Sequence, residues 1–258
     1  MASLRPLRRP IYALLLSLAL GWATPQMAKA DSPETAPSEL TTALSAITDA
    51  AEAEDLDGVM AYYSPSFVHA DGFDQASYAE ALEQFWSAYD GLSYRVEIQS
   101  WERDGSAIVA ETITYVSGQQ ISGNIAALES VVRSRQRFEN GQIVFQEVLA
   151  ERNQLTAGIT PPNVTIQLPE EVSLGDEFNF DAIVEEPLGN RLLIGAAIDE
   201  GVTSEDFFEG RPLDLDLLSA GGLFKVGNAP EAEDDRWISA LLIREDGLIV
   251  ITRRLRVR

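Results

Sequence analysis

The chain has 258 residues, with 41 acidic against 19 basic side chains and a formal net charge of -22. That balance excludes a nucleic-acid binder, which needs a basic footprint to displace phosphate counterions, and docking by charge on anionic lipid. Cysteine is absent, which excludes disulfides, thiolate metal sites, cysteine nucleophiles and a lipidated cysteine. Hydrophobic content of 45% and charged content of 23% are ordinary for a folded protein. The length suffices for one large domain or two small ones.

Arg5, Arg8 and Arg9 precede the apolar run Ile11–Leu20, and Ala28-Lys29-Ala30 offers a small-x-small cleavage site before Asp31. This is the three-part layout of a secretory signal over residues 1–30. The apolar run is shorter than the ~20 residues that span a bilayer. The expectation is an exported protein, in the periplasm or another extracytoplasmic compartment, with no membrane attachment once the signal is cleaved. Residues 31–38, with Pro33 and Pro37, read as a flexible leader.

From Leu40, apolar residues recur at 40, 43, 44, 47, 50 and 51, a helical spacing with one apolar face. Leu56, Val59, Met60 and Tyr63 predict a second short helix, ended at Ser64-Pro65. Phe67–Ala70 is a short strand, Asp71-Gly72 a turn, and Asp74 the cap of a third helix bearing Tyr78, Leu82, Phe85 and Tyr89. After Gly91 the period becomes two: Leu92, Tyr94, Val96 and Ile98 alternate with polar residues. Asp104-Gly105 turns this strand into 107–116, and Asn140-Gly141 joins a further pair, 127–138 and 142–152. Helices segregated from an antiparallel meander predict an α+β domain over 39–157. A linker at 158–162 contains Pro161-Pro162. Beyond it, strand candidates at 163–168, 176–184, 191–198, 213–218, 222–226, 236–244 and 248–257 predict an all-β sandwich over 163–258. Ser204–Phe208 reads as a helical turn.

The first domain resembles the nuclear transport factor 2-like (NTF2-like) family, which includes SnoaL-like proteins and ketosteroid isomerases. The likeness rests on the element order, on Tyr62–Gly72, on Phe85-Trp86 near the end of the third helix, and on Ser134-Arg-Gln-Arg-Phe138 and Gln142-Ile-Val-Phe145 in the last strands. It implies a cone: three helices on a curved antiparallel sheet, with a pocket at the open end. The family holds isomerases, hydrolases, dehydratases and proteins without chemistry, so the fold does not choose among them. The second half looks like an immunoglobulin-like sandwich.

His69 is the single histidine. With Asp71 two residues on, it forms a candidate general-base pair, against the alternative that His69 packs at a strand end and Asp71 belongs to the turn. Glu147 interrupts the row Ile143, Phe145, Leu149. If that row faces inward, a carboxylate enters the pocket; a register shift of one puts it in solvent. Tyr63, Trp86, Tyr89 and Tyr115 are candidate pocket aromatics, core packing being the alternative. Arg133, Arg135 and Arg137 share one strand face and form a candidate interface for the second domain, a twin subunit or an anionic ligand. Arg253, Arg254, Arg256 and Arg258 read as tempering an edge strand. Asp214, Asp216, Glu231, Glu233, Asp234 and Asp235 lack calcium-loop spacing and read as solvated loop charge. No P-loop, dinucleotide fingerprint or Gly-x-Ser-x-Gly elbow is present, and one histidine makes no His-based metal site. No cofactor and no metal are therefore expected. The leading expectation is a non-catalytic module that holds a small apolar ligand or a protein partner. The second is an isomerase-like enzyme using His69 and Asp71, and the third is a homodimer formed through the sheet that bears the arginine row.

Overall fold

The structure is a computed structural model that describes residues 30–121, 126–207, 214–218 and 221–258. Most of the expected signal segment (1–29) and Phe208 lie outside the described residues. Helix α1 (Ser38–Glu52) buries Leu40, Ala43, Leu44 and Ala51 as one stripe. Helix α2 (Leu56–Met60) is capped by Asp55, whose carboxylate accepts the Gly58 N–H. Strand β1 (Tyr63–His69) leads to helix α3 (Gln75–Ala88), which opens on a reciprocal capping box between Asp74 and Ser77. Four long strands follow as a meander: β2 (Tyr89–Asp104), β3 (Ala107–Gln120), β4 (Ala126–Glu139) and β5 (Gln142–Gly158). The rest is β6 (Val164–Gln167), β7 (Glu171–Val172), β8 (Glu177–Val184), β9 (Ile194–Gly201), a one-turn helix α4 (Ser204–Phe207), β10 (Asp216–Leu217), β11 (Gly222–Asn228), β12 (Arg236–Arg244) and β13 (Gly247–Val257).

The expectation of an α+β cone plus a separate all-β sandwich is overturned. The described residues are mostly β, 56% strand against 18% helix. One ten-stranded sheet runs in the order β10-β9-β12-β13-β5-β4-β3-β2, with β1 also on β5 and β7 also on β13. The physical reason is the length of β5. It does not stop at 152 but continues to Gly158, and its last turnless stretch pairs antiparallel with β13 from Gly158↔Gly247 to Arg152↔Arg253. The sheet therefore runs straight across the expected linker. β13 is not an edge strand, so its arginines do not serve as edge protection. A three-stranded sheet, β11-β8-β6, is the second sheet. Phe178, Phe180 and Ala182 of β8 share a core with Ile238, Ala240 and Leu242 of β12 and with Ile249 and Ile251 of β13.

The edge of β5 away from β4 is divided. Near its start it pairs parallel with β1 (Val68↔Phe145, His69↔Gln146), and near its end antiparallel with β13. The C-terminal ends of β1 and β13 therefore approach each other along β5. This brings His69 and Asp71 to Arg254.

At the sheet junction Gly158 adopts φ +98, and a Cβ there would lie 2.5 Å from the Gly247 Cα and 2.6 Å from the Asp246 carbonyl oxygen. Gly158→Ala is expected to cost at least about 1–3 kcal/mol from backbone strain alone, with the clash added. Urea unfolding measures it, and an unchanged midpoint would contradict this reading of the junction.

Candidate functional site

Helices α1 to α3, strand β1, the inner faces of β2 to β5, and residues of β12 and β13 line a half-open cavity of about 670 Å³. Its wall is mostly apolar, including Leu44, Leu82, Phe85, Val116, Leu128 and Val132. No described helix is long and apolar enough to cross a membrane.

Two β-bulges set which groups face inward. The β4–β5 register shifts between Arg137 and Phe138 and between Arg133 and Ser134. Each bulge inserts one extra β5 residue and reverses the alternation. The β5 row that lines the cavity is therefore Ile143, Gln146, Val148, Glu151, Asn153 and Leu155, with Gln154 also touching it. A straight strand would have placed Phe145, Glu147 and Leu149 between Ile143 and Glu151, where the bulges place Gln146 and Val148. Glu147 lies outside the cavity, 3.5 Å from Arg135 and 3.2 Å from Arg256.

The polar groups of the wall are tied to one another. Glu151 accepts from Trp237 Nε1 at 2.8 Å through one oxygen and from Asn153 Nδ2 at 2.6 Å through the other. Ser130 donates to Asn153 Oδ1 at 2.6 Å. Gln136 donates to Gln146 at 3.2 Å. Such a network fixes side-chain positions and leaves few groups to respond to a guest.

His69 is buried at the end of β1, among Phe67, Phe73 and Tyr78, whose ring stacks at 6.1 Å. Its Nδ1 accepts the backbone N–H of Asp71 at 3.1 Å. Nδ1 thus carries no proton, and Nε2 carries the ring N–H. Nε2 has no hydrogen-bond partner among the described residues, and His69 is part of the cavity wall. Burial lowers the imidazole pKa; Asp71 opposes this and Arg254 adds to it. The ring is neutral at neutral pH and presents a donor.

Asp71 is engaged elsewhere. Its carboxylate receives Arg254 Nη1 at 2.9 Å and Nη2 at 2.5 Å, a two-pronged pair. Arg254 also meets Asp235 at 3.0 Å, and Asp235 binds Arg258 and the Val257 N–H. The Arg254, Asp235 and Asp71 side chains are 2%, 6% and 8% exposed. Burial pushes the Asp235 carboxyl up, but the Arg258 hydrogen bond and the Arg254 charge outweigh it and hold the pKa below the ordinary value. Asp235 is thus no solvated loop acid. Among the described residues no group of three or more His, Asp or Glu is placed to hold a metal ion.

Of the aromatics singled out in the sequence, Tyr63 and Tyr89 line the cavity. Trp86 is buried beside it, donating to the Tyr94 hydroxyl at 2.9 Å. That phenol's pKa is raised by burial to about 12, against a smaller lowering by Trp86. Tyr115 sits apart, under the Arg95 guanidinium at 3.8 Å and donating to Glu97. The arginine row is engaged within its own sheet: Arg133 and Arg135 reach Glu111, and Arg137 reaches Asp104 and Glu139. Sequence reasoning missed Glu151 and Arg254. Arginines at alternate positions in the last strand of an acid-rich chain were the available signal for Arg254. Glu151 lies on the Ile143 face by simple strand alternation, which was the available signal for it.

The His69 environment gives a pH expectation. A group whose folded pKa is depressed contributes its full stability above the unfolded value, 6.5 here, and loses it as pH falls through the folded value. Proton NMR of the single imidazole should show half-protonation below 6.5. A midpoint above 6.5 would contradict the buried, donor-only ring.

A family described as a domain of unknown function (DUF8623) matches residues 159–258. No curated protein matches the chain. Among solved structures, the chain is similar to Bd1075 of Bdellovibrio bacteriovorus at 12% identity and a TM-score of 0.32, over 43% of this chain and 40% of that one. The chain thus spans about two fifths of that protein. It is similar to an LEH-like epoxide hydrolase of M. tuberculosis at 22% identity and a TM-score of 0.31, over 46% of this chain and 81% of the other. An NTF2-like protein of unknown function from Burkholderia pseudomallei gives 22% identity and a TM-score of 0.31, over 43% and 90%. These neighbours include an enzyme and a protein of unknown function, and each likeness stops short of half of this chain.

Proposed function

We propose that this is an exported, non-catalytic binding protein whose cavity holds a small, mainly apolar molecule with an oxygen acceptor at one end. The cavity of about 670 Å³, mostly apolar and walled by both halves of the chain, is the observation that carries the reading. His69 Nε2–H is the hydrogen-bond donor for the ligand oxygen. Glu151, Asn153, Gln136 and Gln146 hold the wall in shape. Proton abstraction by a His69–Asp71 pair finds no support in this geometry. The carboxylate does not receive an imidazole N–H, and Arg254 occupies both of its oxygens. The secretory layout of residues 1–30 supports export.

Native mass spectrometry of protein purified gently from its own host tests the reading. The expected result is an added mass that is lost on denaturation and absent from Val132→Trp, which fills the cavity. A folded wild type with a clean apo mass, together with no ligand uptake from a host lipid extract, would overturn it.

A further inference from the structure

Arg152 and Arg253 stand apart from every other described arginine. Arg95, Arg103, Arg133, Arg135, Arg137, Arg191, Arg236, Arg244, Arg254, Arg256 and Arg258 all pair with carboxylates. Arg152 and Arg253 have no carboxylate partner among the described residues, in a chain with 41 acids. They are also direct register partners on β5 and β13. Like charges directly opposite on neighbouring strands are destabilising. Arg253 Nη1 is enclosed and donates to nothing, a state that costs free energy in a protein interior. Arg152 is exposed and makes one long bond, to Gln154 at 3.4 Å. Its chain neighbours Glu151 and Asn153 line the cavity, and so does Gln154, its one hydrogen-bond partner; neither Arg152 nor Arg253 is part of that lining. The pair therefore lies beside the ligand cavity without lining it, and on β13 Arg253 alternates with Thr252 and follows Ile249 and Ile251 of the second core.

We propose that Arg152 and Arg253 form a binding site for a small phosphate-type dianion, free or carried as a small-molecule monoester. Two guanidiniums match the charge of a dianion, and their planar forks match its oxygens. The repulsion between them is relieved when the anion sits between them. Burial, then the neighbouring Arg152 charge, lowers the Arg253 pKa to about 10, as expected of a cation that lacks its counter-ion.

The experiment is isothermal titration of the full chain with inorganic phosphate, at constant ionic strength balanced with sodium chloride. Saturable binding at one site is expected, weakened at least ten-fold in Arg152→Gln and in Arg253→Met. Arg253→Met should also raise the melting temperature in phosphate-free buffer, since it removes an unpaired half-buried charge. Arg152 is exposed, so its variant folds whatever the fate of the other. A parallel titration with glycerol phosphate separates the sources: tighter binding than phosphate assigns a monoester, equal binding the free anion. Non-saturating heats, or wild-type affinity in both variants, would overturn the proposal.

Discussion

Asp71→Ala should lose about 3–5 kcal/mol of folding stability, the usual cost of removing one partner from a buried ion pair. Asp71, Asp235, Arg254 and Arg258 form a neutral cluster of two carboxylates and two guanidiniums. Removing one carboxylate leaves a net positive charge around Arg254, whose side chain is 2% exposed. Burial lowers the Arg254 pKa, but the Asp71 hydrogen bonds and the Asp71 and Asp235 charges outweigh this and raise it; removal of Asp71 takes away the largest of the raising contributions. Urea unfolding of Asp71→Ala and of Asp71→Asn measures the loss, the second keeping the turn's shape. Asp71→Ala with Arg254→Met should recover part of it, because the stranded charge is then gone. A loss below about 1 kcal/mol would show that the cluster is solvated in solution, as surface pairs are. Acid should act through the same cluster. Asp235 has a depressed folded pKa, so its contribution is full above the ordinary value of 3.8 and disappears as pH falls through the folded one.

Leu242→Ala is the second large expected effect, about 2–5 kcal/mol. Leu242 is 0% exposed in the core between β12 and the three-stranded sheet, where a truncated side chain leaves a void that neighbours on two sheets must close together. The informative part is where the loss is reported. Trp86 and Trp101 lie in the first half, and Trp237 in the second. β12 and β13 carry both environments: Ile238, Ala240 and Leu242 face the second core, while Trp237, Val250 and Thr252 line the cavity. The variant should therefore shift a single transition seen equally by all the tryptophans. Two separate transitions, with only the later half of the chain displaced, would contradict a shared sheet.

Local patterns made much of this architecture legible in the sequence. The stripe of Leu40, Ala43 and Leu44, the Asp74 cap and the alternation from Leu92 to Ile98 report helices and strands directly, because each depends on residues a few positions apart. The turns at Asp104-Gly105 and Asn140-Gly141 did the same for the hairpins. What stayed hidden depends on long-range pairing. The continuation of β5 to Gly158 is decided by β13, which is distant in the chain. The inward turn of Gln146 and Val148, in place of Phe145, Glu147 and Leu149, depends on two bulges that composition does not mark. The ion pair of Asp71 with Arg254 exists because β1 and β13 end near one another along a third strand. Asp235 read as a solvated acid since its neighbours are acidic; its partners come from the last strand.

The divided edge of β5 also has a consequence for the order of synthesis. By the time Gly158 has left the ribosome, α1 to β5 can assemble, but residues 152–158 of β5 still lack their partner and the cavity lacks its wall of Trp237, Val250 and Thr252. Roughly ninety residues must follow before β13 arrives, about 5–20 s at elongation rates of about 5–20 residues per second. For that interval the nascent chain shows an open strand edge beside an apolar hollow, the combination most prone to wrong pairing. The period of greatest vulnerability thus falls before the chain is complete, and a holding chaperone that shields the β5 edge would act during that interval.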